Sequence, residues 1–265
     1  MIKTLDYNGA VLHYKDEGEG TVVVLLHGYL ESMYVWDEFS TELSNHYRVF
    51  SIDLPGHGQS EPFKDEITME DMAAALHFVL QQNQIKQAVI VGHSMGGYVS
   101  LAYAQKYGAM LQGMCLFHST PFADTREKKE NRQREIELVR QGKKDVVFNI
   151  NIPKMYANDN HHKMSKELEI SKNIAFKTSE KGIIAALRGM MARGDRSEFL
   201  ENLDVPFLLI LGKKDNYIPY DNILEKIKLP DNAKVVTLEN SGHMGFIEEK
   251  EKSLKAIRDF VNHTR

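Results

Sequence analysis

A chain of 265 residues with 42% hydrophobic and 26% charged side chains has the composition of a globular protein able to bury a full core in one or two domains, and 18 Gly and 7 Pro exclude a collagen-like or low-complexity chain. With 33 basic against 37 acidic residues the formal net charge is −4, so no global positive field exists to hold nucleic acid or an anionic membrane. A single cysteine, Cys115, excludes an internal disulfide, Met1 to Asp6 lacks the apolar core of a signal peptide, and no aliphatic run approaches the ~20 residues that cross a bilayer, so a reducing cytoplasm is the expected address.

Residues 2–7 and 10–15 flank Asn8-Gly9, the preferred pair for a two-residue hairpin, and are expected to form an antiparallel sheet edge. Short apolar runs follow at 22–26 and 47–52, each rich in β-branched or aliphatic residues, without alternation, and ending at His or Asp. Such runs read as strands buried on both faces, hence a parallel sheet. Residues 69–82 then carry helical periodicity, with Met72, Leu76, Val79 and Leu80 on one face. A strand at 88–91, a helix at 95–107 and a strand at 113–117 continue the alternation, so the class is α/β.

From about Ser119 to Arg196 the alternation stops and helix-forming sequence takes over. Residues 125–140 are dense in charge, with Arg126/Glu130 and Glu130/Arg134 spaced four apart, and read as a solvated structural helix. Apolar residues beyond it, among them Phe148, Ile152, Met155, Tyr156 and Met190, need a surface to bury against, so the stretch is expected to be a helical cap inserted into the core. Strands at 207–211 and 235–238, each followed by a helix, close the chain. The expected division is a core of residues 1–118 and 197–265 with a cap at 119–196.

Gly92-His93-Ser94-Met95-Gly96 places G-x-S-x-G between a buried strand and a helix, the setting of a nucleophile elbow. A sharp strand-to-helix turn holds its serine in strained backbone geometry, and the positions two before and two after must lack bulk. The Ser94 hydroxyl then stands above the sheet at the positive end of the following helix, where a developing anion is favoured. Asp215 and His243 each follow a predicted strand, and loops at that edge of a parallel sheet converge on one crevice. The order Ser, Asp, His is the order of the α/β-hydrolase triad.

On these residues the chain resembles the α/β-hydrolase superfamily, specifically its capped, cofactor-free serine hydrolases. Leu26-His27-Gly28-Tyr29 and Asp53-Leu54-Pro55-Gly56-His57-Gly58-Gln59-Ser60 resemble signature segments of that family. The resemblance implies a mostly parallel eight-stranded sheet with helices on both faces and a helical cap. It also implies an oxyanion hole from the backbone N–H groups of Tyr29 and Met95, and loop-bracing roles for His27 and His57. His243 would take the Ser94 proton, Asp215 would orient the imidazole, and water would cleave the acyl-enzyme.

A serine at the nucleophile position argues against epoxide and haloalkane chemistry, which uses Asp there. Small or medium carboxylic esters in a largely apolar pocket are the first expectation. A cofactor-free lyase or carbon–carbon hydrolase on the same triad, with Arg126, Arg188 or Arg193 supplying charge, and a triad-retaining receptor-like protein are the alternatives. No cofactor or metal is expected, because His161-His162 lacks a companion ligand set. The expected partner is a small-molecule acyl substrate, with no nucleic acid or membrane; the sequence leaves the oligomeric state open. His118 and Ser119, just past a strand, carry little weight as site residues.

Overall fold

The structure is a computed structural model that describes residues 1–264; Arg265, the end of the expected core segment, lies outside them. Among the described residues eight strands form one sheet: β1 (Ile2–Tyr7), β2 (Ala10–Glu17), β3 (Val22–Leu26), β4 (Arg48–Ile52), β5 (Ala88–His93), β6 (Leu111–Phe117), β7 (Phe207–Gly212) and β8 (Ala233–Leu238). Their spatial order is β1-β2-β4-β3-β5-β6-β7-β8. β2 runs antiparallel to both β1 and β4, and every other pairing is parallel. Asn8 and Gly9 both have positive φ, 54° and 77°, as a hairpin turn matched to strand twist requires. β5 and β7 are buried along their whole length, whereas the edge strand β1 is largely exposed and the edge strand β8 is mostly half-buried or exposed. The expected strand at 47–52 starts one residue later, because the Tyr47 N–H is taken by the Leu43 carbonyl at the end of the preceding helix.

That helix is α1 (Asp37–Ser44); α2 (Met69–Gln82) and α3 (Met95–Tyr107) follow. Thr68 and Asp71 close a reciprocal capping box at the start of α2. The crossover through α1 moves from β3 to β4 in one direction along the sheet, and the crossover through α3 moves from β5 to β6 in the other. Right-handed crossovers therefore place α1 and α3 on opposite faces. The packing of α2 on α3 and of α1 on the last helix, α11 (Lys250–His263), agrees with that arrangement.

Between β6 and β7 the chain is all helix: α4 (Arg126–Arg140), α5 (Lys144–Met155), α6 (Ser165–Phe176), α7 (Glu180–Ala192) and α8 (Ser197–Glu201). α4 packs on α5 and α7, and α5 on α6. α7 sits directly on core loops, since side chains at Gly182 or Gly189 would overlap the carbonyl oxygens of Gly56 or Ile67. α9 (Tyr220–Lys226), α10 (Gly245–Glu248) and α11 (Lys250–His263) complete the chain. No helix of the described residues is long and apolar enough to cross a membrane. Strand order reverses at β3, and loops leaving β3, β5, β7 and β8 open on one rim, the place where ligands enter such sheets.

Candidate active site

Ser94 separates β5 from α3 with φ 50° and ψ −114°, a strained conformation for a residue with a side chain. The two glycines of the motif have a steric reason. A Cβ at Gly92 would overlap Ser100 Oγ and Gly96 O, and one at Gly96 would lie 2.5 Å from Leu26 O. Ser94 N–H donates to Phe117 O at 3.0 Å, and Ser119 Oγ donates to Ser94 O at 2.7 Å. The Ser94 side chain does not cap α3. Met95 opens α3, so its N–H has no intrahelical acceptor and is available above the turn.

Asp215 lies after β7 with its carboxylate fully saturated. Oδ1 accepts the N–H groups of Tyr217 at 2.7 Å and Ile218 at 2.9 Å, and Oδ2 accepts from Nδ1 of His243 at 2.7 Å and Nδ1 of His118 at 3.1 Å. Burial alone would raise the carboxyl, yet the adjoining His243 and the imidazole hydrogen bonds hold it well below the ordinary carboxylate range. With Nδ1 of His243 committed to the acid, its Nε2 is the ring nitrogen left to act as a base.

His118, with φ 47° at the end of β6, is completely buried, and desolvation lowers its pKa to about 4, so it is neutral. Its Nδ1 also lies 3.2 Å from Gly212 N–H. One nitrogen cannot donate and accept there, and the carboxylate selects the protonated Nδ1. His118, Asp215 and His243 are also the one cluster among the described residues with donor atoms close enough for a metal, within 4.8 Å. Their hydrogen bonds to one carboxylate oxygen account for that closeness.

The loop after β3 is held against the elbow. A Cβ at Gly28 would lie 3.1 Å from Ser94 Cβ and 3.0 Å from His93 Nδ1, so glycine permits the approach that brings Tyr29 to the site. His27 bridges loops as the resemblance implied: Nδ1 reaches Gly28 O at 2.7 Å, and Nε2 accepts from Leu54 N–H at 3.0 Å. His57 is completely buried beside His27, and desolvation lowers its pKa to about 3. Glu31 Oε2 accepts Gly28 N–H at 2.6 Å and faces His93 Nδ1 at 3.0 Å, while His93 Nε2 meets the His243 carbonyl at 2.8 Å. Both His93 nitrogens face oxygen atoms, an arrangement suited to an imidazolium beside an ionised Glu31. Burial opposes that charge, but Glu31 raises His93 above the ordinary histidine value, and His93 lowers Glu31.

A cavity of about 580 Å³ joins these parts, lined by Ser94, His243, Tyr29 and Tyr98 from the core and by α4 and α5. Met155 and Met190 contribute to a wall that is mostly apolar, and Arg132, Glu135 and Asn151 add polar groups to it. α4 is correspondingly more than a solvated helix. Its outer face is charged, with Arg126 and Glu130 paired at 2.9 Å, while its inner face lines the cavity. None of the three arginines expected to supply charge lines it: Arg126 is exposed, Arg188 binds Asp65 O, and Arg193 is buried against Asp124. Tyr29 Oη donates to Glu135 Oε2 at 3.2 Å, Asn151 Nδ2 to Glu135 Oε1 at 3.3 Å, and Tyr217 Oη to Asn151 Oδ1 at 2.9 Å, tying helices α4 and α5 to the two core loops. Sequence reading missed His93, Glu31, Arg132 and Tyr217. Only His93 carried a local signal, its place inside the elbow motif.

The chain matches the sequence profile of a family described as alpha/beta hydrolase fold over residues 21–143. It is similar to the solved structure of a thermophilic esterase from Thermogutta terrifontis with malate bound, at TM-score 0.93 and 29% identity, covering 99% of this chain and 97% of that one. It is 26% identical to the pimeloyl-[acyl-carrier protein] methyl ester esterase of Aliivibrio fischeri over 95% of this chain and 97% of that protein. It is 25% identical to the 2-hydroxy-6-oxo-6-(2'-aminophenyl)hexa-2,4-dienoic acid hydrolase of Metapseudomonas resinovorans over 96% and 88%.

Proposed function

We propose that the chain is a hydrolase of the α/β-hydrolase superfamily, a reading its likeness to that family's profile and to esterases supports, and that it cleaves carboxylic esters through an acyl-enzyme on Ser94. The observation that carries this reading is the His243 Nδ1 to Asp215 Oδ2 hydrogen bond of 2.7 Å beside a cavity that His243 shares with Ser94. In the proposed cycle His243 Nε2 takes the hydroxyl proton as Ser94 Oγ attacks the ester carbonyl, then returns it to the departing alkoxide. Water repeats the attack on the acyl-enzyme with the same base, releasing the acid and restoring Ser94.

The oxyanion of each tetrahedral intermediate would lie between the N–H groups of Met95 and Tyr29, each such donor being worth about 10²–10³ in rate. Two features support that placement: α3 begins at Met95, and Gly28 lets the Tyr29 loop close on Ser94. Residues 119–196 would serve as a cap, with α4 and α5 walling the acyl site and excluding water.

The test is labelling with a fluorophosphonate followed by peptide mapping, alongside turnover of a short activated ester. The label should sit on Ser94, and Ser94→Ala should abolish turnover. A label elsewhere, or undiminished turnover in the variant, would reject the assignment.

A further inference from the structure

Taking Ser94 as the nucleophile, we infer that the cavity contains an anion subsite at Arg132 and that the preferred substrates are esters carrying a second, ionised carboxylate. Arg132 projects from α4 into the same cavity as Ser94 and His243. Its guanidinium is clamped from one side: Nε donates to Asp124 Oδ2 at 2.6 Å and Nη2 to Asp124 Oδ1 at 3.4 Å. Among the described residues none accepts from Nη1. The Asp124 carboxylate is completely buried and is shared, because Arg193 Nη2 binds its Oδ1 at 2.8 Å. Two guanidinium groups thus stand against one carboxylate.

Arg193 gives Nη1 to Met190 O and Nη2 to Phe122 O while lying 3.9 Å over the Tyr98 ring, and although its Nε is buried without an acceptor among the described residues, it does not line the cavity. The unused positive edge that faces the cavity therefore belongs to Arg132. Glu135, one turn along α4, lines the cavity too, but no ion pair joins it to Arg132 among the described residues. Its oxygens are occupied by Tyr29 Oη–H and Asn151 Nδ2–H. Lys128, Arg134 and Lys154 add positive charge to the cavity lining. A guanidinium held edge-on with free donors in a partly desolvated pocket is suited to a planar carboxylate.

The experiment compares monomethyl adipate with the methyl ester of a neutral acid whose chain ends in an isopropyl group of the same shape as the carboxylate. Hydrolysis is followed by proton release for the wild type, Arg132→Gln and Arg132→Lys. The wild type should favour the anionic ester in kcat/KM. Arg132→Gln should lower the anionic-to-neutral ratio by at least threefold and by about tenfold if one charge-assisted hydrogen bond is lost, with Arg132→Lys falling less. A wild type that favours the neutral ester, or a smaller change in Arg132→Gln, overturns the inference. If Arg132→Gln melts below assay temperature, Arg132→Lys supplies the ratio against the same threefold threshold. Calorimetric titration with adipate separates this inference from the nucleophile assignment. Adipate binding that is weakened by the Arg132 substitution sustains the subsite even if Ser94 escapes the fluorophosphonate, and binding that is absent or equal in both proteins overturns it.

Discussion

His93 Nε2 lies 2.8 Å from the carbonyl oxygen of His243, so the residue beside the proposed nucleophile holds the loop of the proposed base by its backbone. Its other nitrogen faces Glu31, which also receives the Gly28 N–H. One buried imidazolium thereby connects the loops that follow β3, β5 and β8, and the relative positions of Tyr29, Ser94 and His243 depend on it.

The Glu31–His93 pair gives stability a defined pH window. His93 is raised above its ordinary 6.5, so its contribution is complete below that pH and is lost as pH rises through the folded value. Glu31 is lowered below its ordinary 4.5, so its contribution is complete above that pH and is lost on acidification through the folded value. The stability difference between wild type and Glu31→Gln should therefore be greatest between these ordinary values. There it should amount to about 3–5 kcal/mol, the cost of breaking a buried pair. Urea unfolding across pH measures it; a difference independent of pH would show that His93 is neutral.

His118 is a positioning residue for Asp215. His118→Phe removes one of four hydrogen bonds on that carboxylate and should lower kcat about tenfold with KM little changed, the loss expected for one bond of about 1 kcal/mol or slightly more. Asp215→Asn should cost about 10⁴, because it also deprives His243 of its tautomer-fixing partner. Steady-state kinetics on one activated ester ranks the two, and equal losses would assign His118 a larger role than orientation.

Two glycines should respond in opposite senses to alanine. Gly96→Ala places a Cβ 2.5 Å from Leu26 O and 2.8 Å from His27 O, both backbone atoms that cannot yield, and should destabilise by more than about 3 kcal/mol. Gly108, at the end of α3 with φ −53° and open space around it, should gain about 0.4–1 kcal/mol through a stiffer unfolded chain. Thermal melts compare them directly; a tolerated Gly96→Ala would mean that the elbow has more room than the geometry allows.

Glu135 lies on α4 beside the proposed anion subsite. Burial raises its pKa, so ionising it costs stability as pH climbs from its ordinary 4.5 through the folded value. Glu135→Gln should consequently be more stabilising, or less destabilising, at pH 8 than at pH 4, which is read from unfolding at the two pH values. It should also increase the preference for the anionic ester by removing the acid that lines the cavity beside Arg132, and a decrease would count against the subsite.

The α/β class, the hairpin at Asn8-Gly9 and the helices α2 and α3 were legible in the sequence, because periodicity, caps and turn residues act over a few neighbours. The elbow was legible for the same reason: its glycines and serine lie within five residues, and their steric demands are local. His118 on Asp215, His93 on His243 and Arg132 on Asp124 were not. Each joins groups from separate elements, and nothing in the spacing of one chain says which polar side chain will be buried opposite another.

The division follows from the range of the forces involved. Backbone preference and hydrophobic pattern decide strands, helices and the sharp turn at Ser94 before any distant contact forms. Protonation states and pocket polarity depend on which charges packing brings into one desolvated space. Hence Lys128, Arg132 and Glu135 of α4, which in sequence look like the charged residues of its solvated outer face, became a wall of the cavity only when the chain folded over the sheet.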